Sequence, residues 1–319
     1  MQQYQWRLSS SSGTRGRSAA ARTKGRGMSW ALLGIWLTIA PAFALSGCGS
    51  GNAAGNRATG SSTTPPALQP SPAATAATIT NPGKVIHVLV ALCDNQYQGI
   101  VPVPPRIGNG DDPANNLYWG AGYGVKSFFK KAADWTAVSN GPGTTPAVLE
   151  RIAFKHKQKN VYLVADAYRG REIKQCTIDF LEFAAGKGGE VIDLSAGAQR
   201  VSLRIGGGAD LIAYVGHDGL MDFSISNPPE AVDQRKREVM ILACASKAYF
   251  RDSVRRTGAD PLLWTTGLMA PEAYVLKGGI DGWVLGEDGE QVRRRAAEAY
   301  NRYQRCGIGA ASRLFSSGW

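Results

Sequence analysis

The first 47 residues contain no Asp or Glu, yet six basic residues (Arg7, Arg15, Arg17, Arg22, Lys24 and Arg26) precede Cys48. The formal charge of +11 is therefore lopsided: without those six, 30 basic residues face 25 acidic ones, a charge of +5. A surplus of that size, with no basic stripe interleaved with aromatics, argues against a polyanion binder, and no nucleic-acid partner is expected. Histidine is scarce, at three residues, and these and the five cysteines show no zinc-ligand spacing, so no metal site is expected from them. Gly206-Gly207-Gly208 precedes an apolar strand pattern, and no Gly-Lys-Ser/Thr follows, which excludes a phosphate loop. No cofactor is implied. The longest mostly apolar run, Trp30 to Leu45, covers about sixteen residues and holds Pro41. A membrane span needs roughly twenty.

What is present begins with that leader. A basic stretch, an apolar run of signal-peptide length and Leu45-Ser46-Gly47-Cys48 follow one another. The last four residues resemble a lipobox, the recognition sequence of bacterial lipoprotein maturation. Small residues before the cysteine give a peptidase access to the backbone, and the thiol takes a diacylglyceryl group. The resemblance implies cleavage at Gly47-Cys48, lipidation of Cys48 and stable membrane anchoring, with the rest of the chain facing the periplasm or the cell exterior. Gly49 to Pro82 is rich in Gly, Ala, Ser, Thr, Asn and Pro, with Arg57 its one charge. Such a segment buries too little to offset ordering entropy and reads as a flexible tether. The expected division is a signal peptide over 1–47, a lipidated cysteine and linker over 48–82, and a folded domain over 83–319.

Within that domain apolar runs alternate with helical periodicities. Lys84 to Leu92, Val161 to Ala165, Asp210 to Val215, Val239 to Ala243 and Leu262 to Thr266 read as buried strands. Helices are expected over Asn115 to Lys131, from the Thr145-Pro146 start to His156, and over Arg171 to Ala185, Lys247 to Arg256, Pro271 to Val284 and Glu290 to Cys306. Met221 to Ser226 is a candidate hairpin arm. The alternation predicts an α/β fold with a doubly wound, mainly parallel sheet whose ligands bind at the carboxyl ends of the strands. Polar residues stand where those runs stop: Asp94, Asp166, His217 and Cys244. His87, inside a strand, and His156, closing a helix, read as structural.

The strands L-I-A-Y-V-G-H-D-G and V-M-I-L-A-C-A-S, in that order, resemble the layout of caspase-like cysteine peptidases, the group of caspases, metacaspases, legumains and gingipains. The resemblance covers most of Lys84 to Thr266 and implies a caspase-like three-layer sandwich. It implies that Cys244 is a nucleophile, that His217 protonates the leaving amine, and that the backbone N–H groups of Cys244 and Gly219 hold the oxyanion. In this chain Asp218 separates His217 from Gly219. Asp94 would receive a basic substrate side chain, or Arg106 an acidic one. The partner implied is a peptide or protein. Once Cys48 is lipidated, Cys93, Cys176, Cys244 and Cys306 remain. The family's strand order separates Cys93 from Cys244 by one strand, roughly 9–10 Å, too far for a bridge. Cys176–Cys306 is the candidate disulfide if one forms. Two other functions fit the residues: a Mg²⁺-dependent hydrolase using Asp94, Asp166 and Asp222, and a catalytically inactive binding or scaffold lipoprotein of the envelope. The sequence specifies no oligomeric state.

Overall fold

The computed structural model describes residues 81–196 and 199–319. The basic leader, the apolar run, Cys48 and nearly all of the linker lie outside them. In chain order the elements are β1 (Lys84–Ala91), α1 (Val125–Lys131), β2 (Trp135–Pro142), β3 (Val148–His156), β4 (Val161–Tyr168), α2 (Ile173–Ala184), β5 (Val191–Ala196), β6 (Gln199–Arg204), β7 (Leu211–Val215) and β8 (Glu238–Leu242). They continue with α3 (Ser246–Thr257), β9 (Asp260–Thr265), α4 (Ala273–Leu285), α5 (Gly289–Gln304), α6 (Ile308–Leu314) and β10 (Phe315–Ser316).

Eight strands form one sheet in the order β10-β9-β8-β7-β1-β4-β3-β2, and β5 and β6 form a separate pair. The centre is parallel: β1 pairs with β4 and β7, β7 with β8, and β8 with β9. The chain is thus α/β with a large, mainly parallel sheet. These strands are apolar along their length because both faces are covered. One face (Ile86, Val88 and Val90 of β1; Leu211, Ala213 and Val215 of β7) packs against α1, α4, α5 and α6. The other (Val85 and Leu89 of β1; Ile212 and Tyr214 of β7) packs against α2, α3 and the β5–β6 pair. Among the described residues no helix is long and apolar enough to cross a membrane.

Four expectations are corrected. Thr145 to His156 is not a helix: Val148 onward is β3, paired antiparallel with both β2 and β4. Thr145 and Pro146 instead belong to the turn that leads into the strand, Val148 N–H donating to Thr145 O at 3.1 Å, and Ile152 and Phe154 alternate onto one face while Ala153 meets the other. Asn115 to Lys131 is helical only from Val125. Before it, a Cβ at Gly124 would stand 2.4 Å from the Trp119 backbone, so the chain coils tightly on itself there. Met221 to Ser226 forms no hairpin arm, only the end of one tight turn, Gly219–Met221. The four cysteines are free. Cys176 is a buried residue of α2, which packs on one face of the sheet, whereas α5, which carries the chain to exposed Cys306, packs on the other.

Candidate active site at the carboxyl edge of the sheet

Val215 of β7 pairs with Leu242 of β8, and two residues further along each chain stand His217 and Cys244. Parallel register thus delivers both to the same end of neighbouring strands. Gly216 makes the exit from β7 possible. Its φ is +152°, and a Cβ there would lie 2.8 Å from the Ala91 carbonyl oxygen. His217 is 8 % exposed. Its Nε2 lies 2.7 Å from Asp222 Oδ2, and that same carboxylate oxygen accepts from Gly99 N–H at 3.1 Å. Asp222 therefore ties His217 to the long loop after β1. The His217 carbonyl accepts from the Tyr214 hydroxyl at 2.8 Å, which fixes the backbone beneath the ring.

Cys244 sits on a strand-to-helix turn. The next residue, Ala245, is left-handed at φ +48°, a conformation that costs a side-chain-bearing residue of order 1–3 kcal/mol. Surrounding bonds enforce it. Ala245 N–H donates to Gly267 O at 2.8 Å, Ser246 Oγ donates to Ile241 O at 2.8 Å, and Thr265 N–H donates to Ser246 Oγ at 3.0 Å. The thiol is half-buried and held by one backbone unit: Met269 N–H donates to Sγ at 3.4 Å, and Sγ donates to Met269 O at 3.6 Å. Burial pushes the Cys244 thiol up, the Met269 N–H opposes that, and the Asp218 charge adds to it. No hydrogen bond joins His217 to Cys244 among the described residues; each has its own partner.

The remaining candidates scatter. Asp94 is buried and turns back on its own loop, its Oδ1 accepting from Gln96 N–H at 2.8 Å and Tyr97 N–H at 3.2 Å. Arg106 donates from Nε to Asn115 Oδ1 at 3.0 Å on an exposed turn. Gly219 is buried, its carbonyl accepting from Asp222 N–H at 2.9 Å and Phe223 N–H at 3.0 Å in the turn after β7. Asp166 does not end a strand: it lies within β4, beneath α2, bonded to Arg151 and His87. Among the described residues no group of three or more His, Cys, Asp or Glu is placed to hold a metal ion.

Three contributors were not read from the sequence. Asp222, a candidate metal ligand in the sequence, instead pairs with His217. The buried Ser246–Thr265 pair supports the Cys244 turn. Asn116 clamps the end of β1: its Oδ1 accepts from Cys93 N–H at 3.0 Å, and its Nδ2 donates to Cys93 O at 2.8 Å. Cys93, beside Tyr118, is deeply buried and pushed up to about 12, so it is an inert thiol. A small polar residue just after a strand-ending cysteine was the available signal for Ser246; nothing periodic marks Asp222 or Asn116. No family model, curated protein or solved structure matches this chain, and its function is inferred from its own residues.

Proposed function

We propose that the chain is a lipid-anchored, caspase-like cysteine peptidase that cleaves peptide bonds with Cys244 and His217, the latter oriented by Asp222. One observation carries this reading: a histidine with a carboxylate partner and a cysteine on a strained strand-to-helix turn stand at matching register positions on adjacent parallel strands. A nucleophile, a base and a group orienting that base are the parts that covalent acyl transfer requires. The central order β4-β1-β7-β8 also separates Cys93 from Cys244 by one strand, in keeping with the resemblance.

In this mechanism His217 takes the Cys244 proton, and sulfur attacks the scissile carbonyl. The carbon–nitrogen bond breaks as His217 returns the proton to the leaving amine. Water then attacks the thioester, giving its proton to His217, and the thiol is restored. Backbone N–H groups of Cys244 and Gly219 are the oxyanion donors that the family resemblance implies. Asp222 holds the imidazole by Nε2, which leaves Nδ1 for the proton transfers. In the free chain the thiol is bonded to Met269 rather than to His217, so catalysis requires substrate to displace that contact. The same contact favours the second reading, an inactive binding lipoprotein.

The test uses the full-length chain in detergent with a mixed peptide library, read by mass spectrometry. New peptide termini that vanish in Cys244→Ala and in His217→Ala support the peptidase. Absence of cleavage, or cleavage that survives Cys244→Ala, rejects it. For the anchor, Cys48→Ser moves the protein from the membrane to the soluble fraction; retention with the membrane refutes lipidation at Cys48.

A further inference from the structure

Leu268 lies on the segment that closes over the Cys244 turn. On one side of it Gly267 O accepts from Ala245 N–H at 2.8 Å, and on the other Met269 N–H donates to Cys244 Sγ at 3.4 Å. Leu268 Cα is two covalent bonds from that nitrogen, which places it within about 6 Å of the sulfur. Its side chain is nonetheless 65 % exposed, the highest value of any large apolar residue among those described, and Val101 follows it. Val101 and Tyr97 stand two residues to either side of Gly99, whose N–H donates to Asp222 Oδ2 at 3.1 Å. Asp222 in turn holds His217, and exposed Met221 precedes it in the chain. Apolar side chains open to water are thus tied by short bonded paths to both His217 and Cys244. These two residues leave neighbouring strands, roughly 4.8 Å apart, so the exposed groups flank one stretch of the sheet edge. The two charged candidates for substrate recognition are already engaged. Asp94 is buried, and a Cβ at either Gly110 or Gly170 would strike its Oδ2, so backbone walls it in. Arg106 bonds to Asn115.

We propose that Leu268 is a specificity-determining residue, and that the site takes a peptide with a bulky apolar side chain, not a charged one, beside the scissile bond. The inference rests on the peptidase reading of Cys244 and His217 and names its substrate class. A single exposed apolar residue is ordinary, but apolar groups gathered about one reactive pair are what binding clefts are lined with. An apolar side chain laid against Leu268 removes apolar surface of both partners from water. A charged side chain in the same place loses hydration and meets no opposite charge. Val101, Tyr97 and Met221 supply further apolar surface on the His217 side.

The test reads the sulfur itself, so it needs no turnover. The full-length chain in detergent is treated with methanethiosulfonates that carry a benzyl, a trimethylammonium-ethyl or a sulfonatoethyl group. Modification of Cys244 is followed by peptide mass, and each rate is divided by that of 2-mercaptoethanol in the same detergent. In the wild type the benzyl reagent leads both charged reagents by roughly five- to tenfold. In Leu268→Ala the lead shrinks, and in Leu268→Glu the lead over the cationic reagent disappears. Because Leu268 is exposed, neither substitution removes a core contact. Equal corrected rates in the wild type, a lead by a charged reagent, ratios unmoved in both variants, or a Cys244 that no reagent reaches would each overturn the proposal. The peptide library separates this inference from the reading beneath it. Cleavage with no apolar residue enriched at the new termini keeps the peptidase and rejects the specificity. Benzyl-led labelling without cleavage keeps the apolar cleft and rejects the peptidase.

Discussion

Asp166 and Asp218 are both buried, and both sit on or just beyond a parallel strand of the same sheet, but their surroundings are opposite. Asp166 receives Arg151 Nε at 2.6 Å, Arg151 Nη2 at 2.7 Å and His87 Nε2 at 3.0 Å. His87 in turn accepts from Gly206 N–H on Nδ1 at 3.0 Å, so every polar atom of that histidine is used. Among the described residues Asp218 has one backbone donor, to Oδ1, and no partner for Oδ2. The Arg151 and His87 bonds outweigh burial and hold Asp166 below the ordinary carboxylate range, whereas burial dominates at Asp218 and raises it. A saturated network locks a core. An unsaturated buried group at the turn after β7 carries an energetic cost that the fold has retained. The carboxyl edge of the sheet is thus where local stability yields to chemistry, and the Asp166 network is where it does not.

The sharpest way to break this contrast is to remove Asp166. Asp166→Ala leaves the largely buried Arg151 guanidinium with only its Glu190 partner and His87 with none on Nε2, and loss of one partner of a buried pair costs about 3–5 kcal/mol. Urea unfolding should show a midpoint shift of that size; a shift below about 1 kcal/mol would mean that the network is ornamental. The acid dependence follows the same logic. The folded-state value of Asp166 is lowered, so its contribution is complete above the unfolded Asp value and is lost as pH falls through the folded one. The wild type therefore loses stability in acid more steeply than Asp166→Asn.

Asp218 should behave with the opposite sign. Its folded value is about 7, above the ordinary 3.8, so the folded state binds the proton more tightly. Stability then declines as pH rises from about 4 to 7 and levels off above. Asp218→Asn removes that penalty and should stabilise the protein by a few kcal/mol at pH 8, with the gain fading below pH 4. Equal unfolding free energies for the two proteins at pH 8 would show that Oδ2 has an unseen partner.

These differences were unequally legible in the sequence. The continuous runs of β1, β4, β7, β8 and β9 announced the parallel centre, because strands covered on both faces have no polar alternation to hide them. Their ends announced His217 and Cys244. By contrast, β3 and the β5–β6 pair carry charged residues, β2 carries Thr136, Ser139 and Asn140, and none of them shows a local strand signature; long-range pairing makes them strands. Asp166 read as a strand terminus because a lone carboxylate in an apolar run looks like an interruption. Only the fold brings Arg151 from β3 alongside it. Asp218 read as a departure from a His-Gly pair, and its burial is a product of packing by the turn after β7. Fold class was written in periodicity, while the charge states of the site depend on contacts between residues far apart in the chain.

Asp222 falls between the two extremes and tests whether the contrast tracks function. Its side chain is 38 % exposed, against 2 % for Asp166, although both pair with a histidine. An ion pair open to water contributes about 0–1 kcal/mol, so Asp222→Ala should leave the unfolding midpoint almost unchanged. If its task is to hold the His217 ring, the same variant should lower peptide turnover about 10–100-fold. That loss should fall on kcat more than on KM, because the ring's orientation matters most when the proton moves. A variant equally stable but catalytically damaged would separate the two His–Asp pairs by role. One that lost stability and kept its turnover would make the His217 pair a second structural clamp, and the carboxyl edge would be no different from the interior.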